Sequence, residues 1–464
     1  MATTAMQLIA SDKKHIVVGL GKTGLSCVRY LKRQNAWVEV VDTRDLPPGL
    51  TELQSEFPDV VVHRGPLDVN ILKTAADLVV SPGVALAEPA IQAAIEQGVE
   101  ITGDIDLFSC VAEAPILAIT GSNGKTTVTS LLAEMGRKSG TKIAVGGNIG
   151  TPALDLLDPS VELYILELSS FQLETTRRLG AFAATVLNVS PDHMDRYDSL
   201  AHYHHAKHRI FRGCQHPVVN DDEPLSAPLM AQGMESVHFG LSNPGLKKFS
   251  TIHELNGDQE VVWLSYGFDK LLNVDELKIK GRHNWSNALA ALAIGHTAGL
   301  PLSVMVETLC EFPGLPHRCE WVAEHNGIDF INDSKGTNVG ATCTAIDSIG
   351  GLTSGKLILI AGGVGKDADF ALMEELVAKY VKCLVLIGHD AEKIRSTLSE
   401  VVPCIDASDL PDAVMIAAQK ATPGDTVLLS PACASFDMFD SYEHRGTVFR
   451  DQVKVLQSTL TDDQ

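Results

Sequence analysis

Ile116-Leu117-Ala118-Ile119-Thr120-Gly121-Ser122-Asn123-Gly124-Lys125-Thr126-Thr127 is an apolar run that breaks into a glycine turn bearing Lys-Thr, then enters a helix-like stretch from Val128 to Gly136. The order reads as strand, phosphate loop and helix. Gly121 and Gly124 let backbone N–H groups converge on phosphate oxygens, with Ser122, Asn123 and Thr127 completing the loop. Lys125 supplies a point charge, Thr126 a hydroxyl for Mg²⁺, and the helix N-terminus its dipole. The chemistry implied is ATP-dependent. Ile119 stands where the common GxxxxGK[ST] pattern has its first glycine, so the loop is a shortened one. A bare Gly-Lys-Thr recurs by chance; the strand before it and the helix after it give it weight.

A chain of 464 residues is too long for one core and suggests about three domains by the usual size range. Its 45% hydrophobic and 20% charged content is that of a globular protein. The net charge of -21 argues against a nucleic-acid partner, because a phosphate backbone repels such a surface. Any polyanionic substrate must meet a local basic pocket. The nine cysteines are scattered and never spaced as CxxC, which fits free thiols in a reducing compartment. Met1 to Lys14 has no signal-peptide pattern, and no run of 18 apolar residues occurs, so membrane insertion is not expected and a cytoplasmic location is.

Working outward from the phosphate loop, Ile16 to Gly19, a glycine turn, a helical stretch Leu25 to Gln34, a strand Val38 to Val41 and then Asp42 form a Rossmann-type βαβ opening. After the second start at Pro115, the alternation continues through Leu163 to Leu166 and Ala184 to Asn188. A third start at Lys356 to Gly363 leads to Cys383 to Gly388 and Thr426 to Ser430. Three strand-to-glycine starts predict three α/β domains: a Rossmann-like 1–103, a central ATPase 104–314 with a parallel sheet, and a Rossmann-like 315–464. Between Ser242 and Lys280, strand-like Glu260 to Leu264 and Glu276 to Ile279 predict a small antiparallel elaboration of the middle domain.

Gly19-Leu20-Gly21-Lys22-Thr23-Gly24 with Asp42 matches GxGxxG plus a ribose-binding acid, the pattern of a dinucleotide enzyme. The same features also serve other nucleotides or simply fold the βαβ unit, and Thr43-Arg44 adds a hydroxyl and a cation suited to a phosphorylated or uridine-bearing ligand. Tyr164-Ile165-Leu166-Glu167 ends an apolar strand in a carboxylate, where it either ligates Mg²⁺ already held by Thr126 and phosphates or caps a helix. His193 follows another strand, between Asp192 and Asp195, at the carboxyl edge where α/β proteins present ligand groups. The histidine-rich His202 to His208 reads as a solvated helix face, lacking the second cluster a zinc site would need.

Taken in order, Thr120 to Thr127, Glu167 to Leu173, Asp192 to Tyr197, His283-Asn284-Trp285-Ser286-Asn287, Leu315-Pro316-His317-Arg318 and Asp333-Ser334-Lys335 resemble the Mur ligases, ATP-dependent amide-forming enzymes of peptidoglycan synthesis. The opening glycine motif, Asp42-Thr43-Arg44 and the closing Ser430 to Asp437 are most similar to the D-glutamate-adding branch. The resemblance implies a UDP-binding N-terminal domain, a central ATPase and a C-terminal domain that brings the amino acid. It implies that Lys22, Thr23, Asp42, Thr43 and Arg44 hold the uridine diphosphate of UDP-N-acetylmuramoyl-L-alanine, with Ser81, Gly83 and Asn148 along the sugar-peptide path. Asn287, Arg318 and Asp333 would contact ATP, and Lys335, Thr337, Lys366, Ser435, Phe436 and Tyr442 would receive D-glutamate. Two Mg²⁺ ions are implied, on Thr126, Glu167, His193 and a carbamylated Lys207. Lys22 and Tyr442 stand where the family pattern has Leu and Phe, and the segment from His193 to Lys207 is one residue short of it.

On that reading a substrate carboxylate attacks the γ-phosphate of ATP, and the D-glutamate amine then displaces phosphate from the acyl phosphate, with Lys125, Glu167, His193 and Lys207 as the catalytic set. The protein is expected to act as a monomer. The alternatives are a Mur-type or folate polyglutamate ligase with another acceptor, an NAD-dependent oxidoreductase built on the first glycine motif, and a non-enzymatic nucleotide switch.

Overall fold

The computed structural model describes residues 13–458 except 195, 230–234, 243, 258, 366 and 367. The first sheet contains β1 (Lys14–Val18), β2 (Trp37–Asp42), β3 (Val61–Arg64), β4 (Asp77–Val80) and β5 (Glu100–Thr102) in the order β3-β2-β1-β4-β5, all parallel. Strand order reverses beside β1, so the turns after β1 and β4 part there and leave a crevice at the carboxyl edge. Ile16, Val18, Leu78 and Val80 fill one face against Ile91 and Ala94 of the helix Pro89–Glu96.

The central sheet contains β6 (Ile116–Thr120), β7 (Ile143–Gly147), β8 (Leu163–Glu167), β9 (Ala183–Val186), β10 (His216–Asn220), β11 (Val237–Phe239), β12 (Lys248–Asn256), β13 (Gln259–Tyr266) and β14 (Asp269–Asn273). Their order is β14-β13-β12-β11-β10-β9-β6-β8-β7. β6 is wholly buried between β8 and β9, which is why its sequence is continuously apolar rather than alternating. The expected antiparallel elaboration is present where β12 pairs with β13. The strand expected over Glu276 to Ile279 is not. There a 3₁₀ turn, Val274–Glu276, is set by the Asn273 side chain accepting from the Asp275 amide. Leu277 and Ile279 are buried from irregular backbone, so the apolar alternation reported burial, not pairing.

The third sheet contains β15 (Glu320–His325), β16 (Ile328–Asn332), β17 (Leu357–Gly362), β18 (Val381–Ile387), β19 (Cys404–Asp406) and β20 (Thr426–Leu429) in the order β15-β16-β20-β17-β18-β19. It is parallel except for the β15–β16 hairpin at one edge, which makes this sheet mixed. Residues of β17 alternate between two cores, Leu357, Leu359 and Ala361 on one face and Ile358 and Ile360 on the other, as expected of a strand covered on both sides.

The chain divides into two compact units, one of residues 1–189, 199–272 and 288–308 and the other of 190–198, 273–287 and 309–464. Among the described residues no helix is long and apolar enough to cross a membrane. All nine cysteines are free thiols.

Candidate active site

In the first unit, a cleft of about 470 Å³ opens at the carboxyl edge of the first sheet. It is lined by the glycine turn, by Lys22 and Thr23, by Asp42 to Arg44, by Ser81 to Val84, and by Gly147, Asn148 and Gln172. The helix Lys22–Arg33 begins at Gly21, which has no side chain to cap the first amides, and a glycine there keeps Cβ out of the way. Ser81 donates its hydroxyl to the Gly19 carbonyl (2.8 Å) and braces the turn.

Asp42 has a more specific place than a ribose acceptor. Its Oδ2 accepts from the Leu20 amide (2.7 Å) and an Arg44 guanidinium nitrogen (2.6 Å), and its Oδ1 from the Arg44 amide (2.9 Å) and Nε (2.8 Å). Four donors occupy the four lone-pair directions of the carboxylate. Burial works to raise this carboxyl, but the Arg44 and Leu20 bonds prevail and bring it down to about 2. Asp42 thus holds Arg44 over the cleft and ties β2 to the glycine turn. A dinucleotide ribose would find this acceptor already filled.

At the carboxyl edge of the central sheet, the phosphate loop runs from β6 into the helix Lys125–Lys138, again with no side-chain cap. Gly124 is left-handed at φ 82°, which a side chain would resist. The Lys125 ammonium donates to the carbonyls of Gly121 (2.8 Å) and Ser122 (3.0 Å). The buried Lys207, from the helix Leu200–His208, donates to the same Gly121 carbonyl (2.9 Å) and lies 4.4 Å from the Tyr203 ring centroid. This helix does not present Lys207 to solvent: Tyr203, Ala206 and Lys207 face inward.

Glu167, at the end of β8, is 1% exposed. Its Oε1 accepts from Asn148 Nδ2 (2.8 Å), and its Oε2 is buried with no hydrogen-bond partner. Asn148 therefore links the cleft to the carboxylate beside the phosphate loop. Asn188, which sequence reasoning used only to end a strand, holds that loop: its Oδ1 accepts from the Asn123 amide (2.8 Å), its Nδ2 donates to the Asn123 carbonyl (3.1 Å), and its own carbonyl accepts from Ser122 (3.0 Å). A polar residue directly after an apolar strand was the available signal.

In the second unit, Asp333 follows β16 and is buried. Burial raises its carboxyl to about 6 against the opposing bonds from Ser430 (2.7 Å) and the Cys319 amide. Ser334 donates to the Tyr442 carbonyl (2.8 Å), and the Lys335 ammonium lies 4.3 Å from the Tyr442 ring centroid, so Lys335 and Tyr442 come together. Thr337 lies in the same turn, its amide donating to the Lys335 carbonyl (2.7 Å). The buried Arg445 ties Ser334 to the Cys433 carbonyl, fastening this turn to the Pro431 to Ser435 loop. Ser435 is buried in that loop, whereas the Phe436 ring is 74% exposed. Asn287 is bonded to Asn284 (3.1 Å), and Arg318 is partly buried. His193 adopts φ 58° and its amide donates to Asp192 (3.0 Å), while Asp192 also accepts from Asn338 (3.1 Å). Lys366 and Asp195 lie outside the described residues.

Three family models match the chain: the Mur ligase MurD-like N-terminal domain at 13–103, the Mur ligase middle domain at 119–295 and the Mur ligase glutamate ligase domain at 317–433. The UDP-N-acetylmuramoylalanine–D-glutamate ligases of Marinobacter nauticus and Pseudomonas aeruginosa are each 54% identical over 451 residues, covering 97% of this chain and 100% of the relative. The fold resembles a pseudomurein peptide ligase type C from Methanothermus fervidus (TM-score 0.60, 18% identity, 96% of this chain and 100% of that one). It also resembles a UDP-N-acetylmuramate–alanine ligase from Thermotoga maritima (TM-score 0.58, 19% identity, the same coverage). A glycine loop with a buried carboxylate beside it, a cleft at the carboxyl edge of the first sheet, and similarity of this extent over the whole chain lead to one conclusion: the chain belongs to the Mur ligase family.

Proposed function

We propose that this protein is an ADP-forming acid–amino-acid ligase that adds D-glutamate to UDP-N-acetylmuramoyl-L-alanine in peptidoglycan precursor synthesis. The full-length similarity to relatives named for that reaction carries the assignment. ATP use follows from the family. The setting would be the cytoplasm and the working form a monomer. Functional boundaries would fall near Gly103 and Gly314.

The chemistry follows from what a carboxylate lacks. Its carbonyl is electron-rich and oxide is a poor leaving group, so an amine does not displace it at neutral pH. The alanyl carboxylate oxygen would bond to the γ-phosphorus of ATP as the bond to ADP breaks. The D-glutamate amine would then add to the acyl carbon, lose a proton, and expel inorganic phosphate. Lys125 would exchange its loop carbonyls for phosphate oxygens and follow the charge in flight. Arg44 and the open amides after Gly21 would hold the UDP diphosphate, a local answer to the net charge of -21. Lys22, Thr23 and Thr43 would join them, and Ser81, Gly83 and Asn148 would meet the sugar-peptide. Lys335, Thr337, Lys366, Ser435, Phe436 and Tyr442 would receive D-glutamate. Asn287, Arg318 and Asp333 would contact ATP.

Mg²⁺ fits the residues present. Glu167 Oε2 is a buried carboxylate oxygen with no donor, the group a hard cation takes up, and Thr126 opens the neighbouring helix. Among the described residues no three His, Cys, Asp or Glu side chains form a metal cage, so phosphates, water, His193 and a carbamate on Lys207 would complete the ligand sets. Bound there, the ion would neutralise charge on the phosphates. For Lys207 we propose carbamylation: the neutral amine captures CO₂, loses a proton and becomes an anion with two oxygens. Two ammonium groups sharing the Gly121 carbonyl repel each other, and the modification removes that repulsion. His193 would take the metal role that the family pattern implies.

Phosphate release across a panel of amino acids, with UDP-N-acetylmuramoyl-L-alanine and ATP, tests the whole reading. D-glutamate alone should support turnover, and reductive trapping should capture an acyl phosphate. Release of AMP, or a stronger response to another amino acid, would overturn it.

A further inference from the structure

Gln172 lines the cleft, and its carboxamide is held at both ends. Oε1 accepts from the Ser169 amide (3.2 Å) and hydroxyl (3.3 Å), closing the capping box of the helix Ser170–Thr175, while Nε2 donates to Asp104 Oδ2 at 3.0 Å. An amide nitrogen carries two hydrogens. With one committed to Asp104, the second is what Gln172 can offer a ligand.

Asp104, from the helix Asp104–Ser109, is 2% exposed, and its Oδ1 meets no donor. Burial raises its carboxyl to about 6, with the Gln172 bond opposing. The titratable neighbours do not relieve it. Asp106 on the same helix raises it further, although Asp106 itself is bonded to Arg177. Cys27, from the helix Lys22–Arg33, has its thiol pushed well up by burial, by Asp104 and by Asp155 of the turn Ala153–Leu156, so it stays neutral. A buried carboxyl with one side-chain partner is costly to the fold, and such costs concentrate where ligands bind.

We propose that Asp104 is a positioning residue for the UDP-linked substrate: as a carboxylate it accepts from Gln172, fixes the carboxamide with Nε2 outward from Ser169, and so presents an N–H to a carbonyl or hydroxyl oxygen of the sugar-peptide. This rests on the assignment of the cleft to that substrate. Protonated Asp104 is a donor as well as an acceptor, so the carboxamide is no longer held in one orientation, and substrate binding weakens as pH falls through 6. The diphosphate diester of the ligand keeps its charge across that range.

Calorimetric titration of the full chain with UDP-N-acetylmuramoyl-L-alanine between pH 7.5 and 5.0 tests this, with ATP titrated in parallel. Wild-type affinity for the UDP ligand should fall about five- to tenfold across the range. Asp104→Asn presents a donor as well as an acceptor, as the protonated acid does, and does not titrate, so at pH 7.5 it should bind as weakly as wild type does at pH 5.0 and lose the pH dependence. Asp104→Leu removes the acceptor and should bind about tenfold more weakly at every pH, with ATP affinity unchanged. Both variants should melt no lower than wild type at pH 7.5, because a buried charge has gone, which a merely structural carboxylate would not allow. Persistence of the pH dependence in Asp104→Asn, or wild-type binding by Asp104→Leu, would overturn the proposal. Should Asp104→Leu fail to fold, the Asp104→Asn profile decides alone. If the wild-type chain binds no UDP ligand at any pH, the cleft assignment itself falls.

Discussion

Single side chains carry the sharpest consequences. Lys125→Ala removes the charge that follows the transferring phosphoryl group but no core volume, so kcat should fall roughly a hundredfold or more while the circular dichroism spectrum stays that of wild type. Retention of a tenth of the activity would contradict that role. Lys207→Ala should be nearly inactive and partly rescued by short-chain carboxylates, which restore the oxygens a carbamate would provide; an active variant would end the carbamylation proposal. D-glutamate brings two carboxylates to an acidic protein, so Lys366→Ala should raise the apparent KM for D-glutamate far more than that for ATP. Equal changes in both would remove Lys366 from the amino-acid site.

At the scale of the element, the glycine motif before the first helix divides into unequal parts. A Cβ on Gly24 would lie 1.9 Å from the Gly19 carbonyl oxygen, a backbone atom that cannot swing aside, whereas one on Gly21 meets nothing within 4 Å. Gly24→Ala should therefore lower stability by about 1–3 kcal/mol in urea unfolding. Gly21→Ala should leave stability within about 0.5 kcal/mol yet weaken the UDP ligand, because its methyl group would stand at the open helix start. Equal destabilisation by both would show that the motif is purely architectural. The sequence pattern ranks these glycines alike, since spacing records which residues have no side chain but not what a side chain would strike. The same limit explains Glu276 to Ile279: alternation shows which residues are buried, and only a neighbouring strand decides whether they pair.

For the whole molecule, two compact units predict more than one calorimetric transition. Every lining residue of the cleft belongs to the first unit, so UDP-N-acetylmuramoyl-L-alanine should raise one transition selectively, by the linkage between ligand and folded state. A uniform shift of all transitions would contradict this. Acid should act on the second unit through His283. Burial lowers its imidazole to about 4, and its Nδ1 shares a hydrogen bond with Ser348 Oγ (2.7 Å). Its folded value lies below the unfolded one near 6.5, so its stabilising effect is complete above pH 6.5 and is lost as pH falls from there toward 4. His283→Asn should be less sensitive than wild type to a change from pH 7 to pH 5 in urea unfolding; equal sensitivity would discount the group.

Much of this was determined by the sequence alone. Three strand-to-glycine starts, the Gly-Lys-Thr loop and the carboxylate ending Tyr164 to Glu167 are local signals, because a strand, its turn and the next helix are written in consecutive residues. From them came three α/β sheets and a candidate nucleotide loop, while most of the proposed site is implied by the resemblance to the Mur ligases. What only the tertiary structure decided are partnerships between distant positions. Asp42 is filled by Leu20 and Arg44 rather than left open for ribose. Asn188 clamps Asn123 across 65 residues, and Asp104 holds Gln172 across 68. Those pairs depend on which strands become neighbours, and strand order is set by how the whole chain buries its apolar faces, which no local spacing encodes.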